Sequence, residues 1–309
     1  MELNGIDTYS SERLAALVWS YVTPGADARA YRAVAQWGYA ESLERLRRAD
    51  SSIAEIVGES STAWRRRLEL FDTEGAAVAQ LRALKRLGAW VITPEDPLWP
   101  EGMNALGERA PLALWVRGHK AVAERILGGS GLRSISIVGA RAASARGVRT
   151  AVNFSYELAR DYVITSGGAF GIDVAAHKGA LAAGGHTVIF SAAGVDRIYP
   201  ASHAPLFQQV WNGGGLVISE FGLGTAPHAH RFLLRNRLIA AFSRATVVVE
   251  APIRSGALST ARAALEIGRP VGAVPGLIDA PQSAGCHELI RHNGTLVASV
   301  AHIRELASP

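Results

Sequence analysis

The chain has a single cysteine, Cys286, among 309 residues. A lone thiol excludes an internal disulfide framework and any zinc site built from several cysteines. Lysine is nearly as scarce, limited to Lys85, Lys120 and Lys178, and none follows a glycine, which excludes a P-loop. Long apolar runs are missing too. The longest, around Leu238 to Pro252, is interrupted by Arg244 and Glu250, too short for a membrane span. No basic segment leads into an apolar stretch at the amino terminus, so no secretion signal and a cytoplasmic location are expected. There is no Gly-x-Ser-x-Gly elbow of a serine hydrolase. Gly222-Leu-Gly224 has Pro227 where a dinucleotide fingerprint needs its third glycine. His287 and His292 stand five residues apart, about 140° around a helix, so they do not make a metal pair.

What is present reads as a folded protein. Hydrophobic residues make up 49% and charged residues 19%, a globular balance. The net charge of +5 is unevenly placed. Residues 1–133 carry 17 basic and 17 acidic side chains, whereas residues 134–309 carry 15 and 10. The excess is arginine, the better bidentate phosphate ligand. Charge alone leaves an ordinary basic enzyme and a polyanion binder equally open.

The first 85 residues read as a small helical module. Ser10 and Ser11 are placed to cap a helix with Leu14, Leu17, Val18 and Tyr21 on one face, ended by Pro24-Gly25. Shorter helices are expected over 27–37 and 41–48, and a longer one over Thr62–Leu87. The module is similar to helix-hairpin-helix or sterile-alpha-motif units. Its turn, Thr23 to Asp27, lacks the Gly-x-Gly that presents amides to phosphate, which favours a structural or protein-contact role. Residues 86–309 form the second unit. Ala89–Thr93 and Pro111–Arg117 read as strands. Beyond Arg133, apolar runs at Ile135–Val138, Tyr162–Thr165, Thr187–Phe190, Leu216–Ser219, Thr246–Glu250 and Val271–Val274 alternate with helical stretches. Buried runs alternating with helices give an α/β fold, a doubly wound and mostly parallel sheet of extended Rossmann-like type. Ligands of such sheets bind beyond the carboxyl ends of the strands.

Four small-residue turns fall at those ends. Gly139-Ala-Arg141 with Ser144 precedes a helix and suits a phosphate. Ser166-Gly167-Gly168-Ala-Phe170-Gly171 lets the backbone approach a ligand, and Asp173 is placed to cap the next helix. His177, one turn on, reads equally as a structural or a catalytic histidine. Arg231, Phe232, Arg235, Asn236 and Arg237 open a later helix. Cations in a first turn oppose the helix dipole, a conflict that a bound anion removes; Phe232 offers a face for a base. The competing reading pairs these arginines with Glu220 or Glu250. Ser255 and Gly256 form the fourth turn. Asp173, His177, Glu220 and Glu250 are assigned structural or orienting roles.

With these motifs the chain resembles the DprA/Smf family. The resemblance rests on Gly139-Ala-Arg141, Ser166 to Asp173 with His177, Gly194 to Tyr199-Pro200, Ile218-Ser-Glu220, Arg235-Asn-Arg-Leu-Ile-Ala240, Val249-Glu-Ala251 and Val274-Pro-Gly276, in order through about 134–294. It implies a homodimer that binds single-stranded DNA without metal or cofactor, helps load a RecA-type recombinase in natural transformation, and is not an enzyme. It also implies that Arg141, Ser144, Arg235, Asn236 and Arg237 fall in a positive pocket. Two features depart from the family pattern: Phe170 stands where many relatives have arginine, and the winged-helix-like module that many relatives carry at the carboxyl terminus has no counterpart. The alternative is a nucleotide sensor or phosphoribohydrolase-like enzyme on a related fold, but the Pro-Gly-Gly-x-Gly-Thr turn of those enzymes is absent.

Overall fold

The computed structural model describes residues 11–23, 25–71, 76–128 and 133–308. Ser10 and Pro24, read as the start and stop of the first helix, lie outside them. Five helices come first: α1 (Ser11–Val22), α2 (Ala28–Arg47), α3 (Ser51–Val57), α4 (Ser60–Phe71) and α5 (Ala76–Leu87). Asp27 caps α2 by accepting the Arg29 amide. The two helices expected over 27–37 and 41–48 are the two arms of this element, which is broken at Gly38, where φ is +77° and ψ 174°. Glu12 of α1 makes the bend possible, its carboxylate accepting the amides of Tyr39 and Ala40. The long helix expected over Thr62–Leu87 divides into α4 and α5, and α3 had no strong apolar period to announce it.

The helices bury their apolar face directly on the sheet. Trp19, Leu43, Leu46 and Ile53 belong to one cluster with Trp115, Ile189, Phe207 and Val217. The indoles are also tied by hydrogen bonds, Trp19 Nε1 to Ser42 Oγ (3.1 Å) and Trp115 Nε1 to Ser20 Oγ (3.3 Å).

The chain continues through β1 (Ala89–Ile92), β2 (Leu114–Gly118), α6 (Lys120–Leu127), β3 (Arg133–Val138), α7 (Ala145–Leu158), β4 (Tyr162–Ser166), α8 (Ile172–Ala182) and β5 (Thr187–Phe190). Next come α9 (Ala204–Gln209), β6 (Gly215–Ser219), α10 (Ala229–Phe242), β7 (Ala245–Val248), α11 (Gly256–Glu266), β8 (Val271–Ala273), α12 (Ala284–His292), β9 (Thr295–Leu296) and α13 (Val300–Leu306). The sheet order is β1-β2-β6-β5-β4-β3-β7-β8-β9. The seven strands from β6 to β9 in that order are parallel; β1 and β2 join antiparallel at one edge. Alternation along a strand sends side chains to both faces: on β5, Val188 and Phe190 enter the cluster shared with α10 and α11, while Ile189 enters that of the amino-terminal helices. A third cluster packs α7, α8 and α13 against Ile135, Ile137 and Val247. No helix among the described residues is long and apolar enough to cross a membrane.

The order reverses at β3. From there the chain steps outward through β4, β5 and β6 on one side and through β7, β8 and β9 on the other. The crevice at the carboxyl ends of β3 and β7 is the topological switch point, where a doubly wound sheet leaves room for a ligand.

Candidate functional site

A cavity of about 730 Å³ opens at this crevice. Its walls come from the turn after β3 (Gly139, Ala140, Arg141), the turn after β4 with the first turn of α8 (Ala169, Asp173), the first two turns of α10 (Phe232, Arg235, Asn236) and the turn after β7 (Arg254, Ser255, Gly256). All four small-residue turns therefore contribute, but not every residue within them.

Arg235 lies at the base of the cavity, only 4% exposed. Its Nη1 donates to the Phe190 carbonyl and its Nε to Asn236 Oδ1 at 3.3 Å. Nη2 has no hydrogen-bond partner among the described residues. Burial pushes the guanidinium down to about 10, against the pull of Asp173, so it stays charged at neutral pH. Asn236 completes the frame by donating Nδ2 to the Gly256 carbonyl at 3.1 Å, linking α10 to the turn after β7. Glycine at 167 leaves room for the ends of two buried side chains. A Cβ would stand 2.6 Å from both Arg235 Nη1 and Asp173 Oδ2.

Aromatic rings sit above this charge. The Arg141 guanidinium lies 5.0 Å from the Phe232 ring centroid and that of Arg235 5.8 Å, so one ring serves two cations. Tyr199, 44% exposed, leans on Phe232 with centroids 5.5 Å apart. Phe170 is 47% exposed and meets His203 edge-on at 4.6 Å, outside the residues that line the cavity.

Four residues expected in the site are turned elsewhere. Arg237 is buried and grips Glu220 with both terminal nitrogens, at 2.7 and 2.6 Å, while its Nε donates to the Arg109 carbonyl. Arg231 packs over Phe221 and donates to the Ala226 carbonyl. Ser166 is buried, its hydroxyl donating to the Ile137 carbonyl at 2.7 Å. Ser144 caps α7, accepting the Gly147 amide, and its own amide and hydroxyl donate to Glu250. The helix terminus read as a phosphate seat is thus held by the chain's own carboxylate.

Asp173 is not the cap of α8. That place belongs to Gly171, whose φ of +76° and contact with the Ala140 carbonyl admit no side chain. Asp173 lies in the first turn, and burial raises its carboxyl above the ordinary range despite Arg235 nearby. His177 is fully buried between Thr187 Oγ1 (2.6 Å) and the Gly167 carbonyl (2.7 Å). The carbonyl only accepts, so Nε2 carries the proton; the Thr187 hydroxyl against Nδ1 donates to the Ile164 carbonyl at 2.6 Å. Burial lowers the ring to about 4, making it a neutral strut that holds the glycine turn.

A pH dependence of stability follows. Unfolded histidine titrates near 6.5. Between that pH and about 4 the unfolded chain takes up a proton that the folded chain refuses. The stabilisation is complete above pH 6.5 and is lost as pH falls, by about 2 kcal/mol at pH 5. Urea unfolding at pH 7 and pH 5 should show this extra loss in the wild type relative to His177→Gln; equal losses would mean that the ring is not held neutral.

Tyr199 and Arg254 line the cavity but were missed. Tyr199 lies in a loop rather than at a helix start, and its neighbour Pro200 was the only local signal. Arg254 sits inside the small-residue turn after β7, where an isolated cation at a strand end was the available hint.

Comparison with known proteins agrees with this architecture. A family model described as DNA recombination-mediator protein A matches residues 90–308. A putative DNA processing protein DprA of Mycobacterium tuberculosis is 39% identical, the match covering 94% of this chain and 77% of that protein. DNA processing protein DprA of Streptococcus pneumoniae is 38% identical over 66% of this chain and 69% of its own. Among solved structures, the X-ray structure of the Streptococcus pneumoniae protein superposes with a TM-score of 0.78 at 30% identity, covering 96% of this chain and 98% of the other. DNA processing protein A of Helicobacter pylori, described with its single-stranded DNA binding mode, gives 0.60 at 26% identity over 70% and 94%.

Proposed function

Since this chain belongs to the DprA/Smf family of DNA-processing proteins, we propose that it is a non-catalytic mediator that holds single-stranded DNA in the cavity at the sheet's switch point. The observation that carries this reading is Arg235: a buried guanidinium with an uncommitted nitrogen, lining a cavity beside Phe232 and Tyr199. That nitrogen is free to donate a charge-assisted hydrogen bond to an incoming phosphate oxygen. The proposed contact set is Arg141, Phe232, Arg235, Asn236, Ser255 and Gly256, with Tyr199 and Arg254 added. Gly167, Gly168 and Gly171 shape the wall, and Phe170 flanks it. Arg231, Arg237, Ser144 and Ser166 support the fold instead.

Arginines on phosphates with rings against bases give affinity with little sequence preference. A homodimer with two such cavities would engage one strand twice and gain avidity without new contacts. A strand held in this way is the form that a RecA-type recombinase takes over, and loading it is the role we assign in natural transformation, in the cytoplasm.

Fluorescence anisotropy with labelled single-stranded and double-stranded oligonucleotides across a salt series tests the reading. Arg141→Ala should weaken single-strand binding about fivefold and flatten the log–log salt slope by about 0.7, one phosphate contact fewer. Phe232→Ala should cost about tenfold with the salt slope unchanged, because stacking releases no counterions. Binding that ignores salt, or an absence of single-strand binding at low salt, would overturn the proposal. Tight binding of a mononucleotide that displaces no strand would favour the nucleotide sensor.

A further inference from the structure

At the opposite edge of the sheet, away from the switch point, three neighbouring strands each begin with an arginine. Arg133 opens β3, Arg244 immediately precedes β7, and Arg269 stands two residues before β8. The register brings them together. Thr246 pairs with Val271, so two steps back Arg244 stands across from Arg269; Ile135 pairs with Ala245, so Arg133 is one position diagonal to Arg244. The Arg244 amide donates to the Ser134 carbonyl at 2.8 Å, which keeps the two strand starts in contact. Adjacent strands lie about 4.8 Å apart, and like charges facing one another across them are destabilising. Burial and the nearby Arg244 both hold Arg269 below its ordinary value.

The fold accounts for only one of the three. Arg269 donates to the Ser243 carbonyl at the end of α10, a favourable place for a cation. Arg133 and Arg244 have neither a hydrogen bond from their guanidiniums nor an ion pair among the described residues, and both are exposed. Glu101 lines the same cavity and is exposed, without an ion pair to either arginine, while Glu266 pairs with Arg109 and Asp161 with Arg304. Arg133 and Arg244 line a separate cavity of about 210 Å³, with Pro97, Pro100, Ile126, Leu127 and Phe242 as apolar wall.

We propose that this cavity, at the amino ends of β3, β7 and β8, binds a phosphate group between Arg133 and Arg244, with Arg269 behind them. Phosphate is the anion that arginine pairs recognise with several oxygens at once. The group belongs either to free phosphate or to a DNA strand that leaves the switch-point cavity and runs along the sheet; strands of three to six residues put the two edges only about 20 Å apart.

The test compares wild type, the Arg133→Ala/Arg244→Ala double variant and Arg235→Ala. Inorganic phosphate is titrated calorimetrically, and a short and a long single-stranded oligonucleotide are titrated by anisotropy. The double variant should bind inorganic phosphate about tenfold more weakly, while Arg235→Ala at the other edge keeps this site intact. Loss of affinity for the long strand but not the short one would identify the phosphate as that of DNA. Loss of inorganic phosphate alone would identify the free ion. If neither inorganic phosphate nor the long strand is affected, the site does not exist. The phosphate titration is read without DNA, so failure of single-strand binding in the wild type would count against the switch-point reading only. Should the double variant not fold, Arg244→Gln keeps the stem and removes the charge, and carries the same test.

Discussion

Arg237→Ala is expected to destabilise the folded chain by about 3–5 kcal/mol. Arg237 and Glu220 are 5% and 3% exposed, and two parallel hydrogen bonds of 2.7 and 2.6 Å join them. Removing the guanidinium leaves a carboxylate with neither water nor a cation. It also removes the hydrogen bond to the Arg109 carbonyl, which accepts from the same side chain. The Glu220→Gln/Arg237→Met double variant should recover most of the loss, because an uncompensated buried charge costs far more than the pair contributes. Urea midpoints of the two single variants and the double variant check this. A loss below 1 kcal/mol in Arg237→Ala would mean that Glu220 finds another partner or takes up a proton. The folded fraction of Arg237→Ala should still bind single-stranded DNA.

Arg235→Ala should do the reverse, lowering affinity for single-stranded DNA by a hundredfold or more, about 3 kcal/mol, at modest cost in stability. The loss is large because a guanidinium fixed by Phe190 and Asn236 reorganises little when a phosphate arrives. The cost in stability is modest because the raised carboxyl of Asp173 protonates readily once its cation is gone. Arg235→Lys should recover only part of the affinity, since an ammonium lacks the planar fork that reaches Phe190, Asn236 and a phosphate together. Anisotropy at a single salt concentration, with thermal melting alongside, separates the outcomes. Affinity within threefold of wild type would reduce Arg235 to a structural residue.

These two arginines, two positions apart on one helix, mark how far the sequence could be read. That cations cluster toward the amino-terminal part of this helix was visible in the residues, and so was the need for anions to answer them. But α10 starts at Ala229, so only Arg231 stands in its first turn, and the dipole conflict expected for Arg235 and Arg237 does not arise. Two residues of helix turn a side chain about 200°. That rotation sends Arg235 to the cavity and Arg237 to Glu220, 17 positions back in the chain. Ser144 met a similar fate, taken up by Glu250 from 106 residues away. In the amino-terminal part, the break between α4 and α5 was misread, whereas the two arms of α2 on either side of Gly38 were legible. Helical periodicity runs on across a short interruption, and the Glu12 carboxylate that pays for the Gly38 bend comes from another helix.

By itself the sequence determined the alternation of buried strands and helices, hence a doubly wound parallel sheet. It also determined the small-residue turns at the strand ends, hence the edge at which the largest of the described cavities opens. Both are local properties: an apolar run four to six residues long and a glycine turn declare themselves to their neighbours. Only the tertiary structure decided which cation at that edge stays uncommitted, that Tyr199 and Arg254 join it, and that three arginines gather at the far edge. Those outcomes depend on strand order and on partners distant in the chain, and the energy of a buried charge is settled by whichever group the fold brings within hydrogen-bond reach.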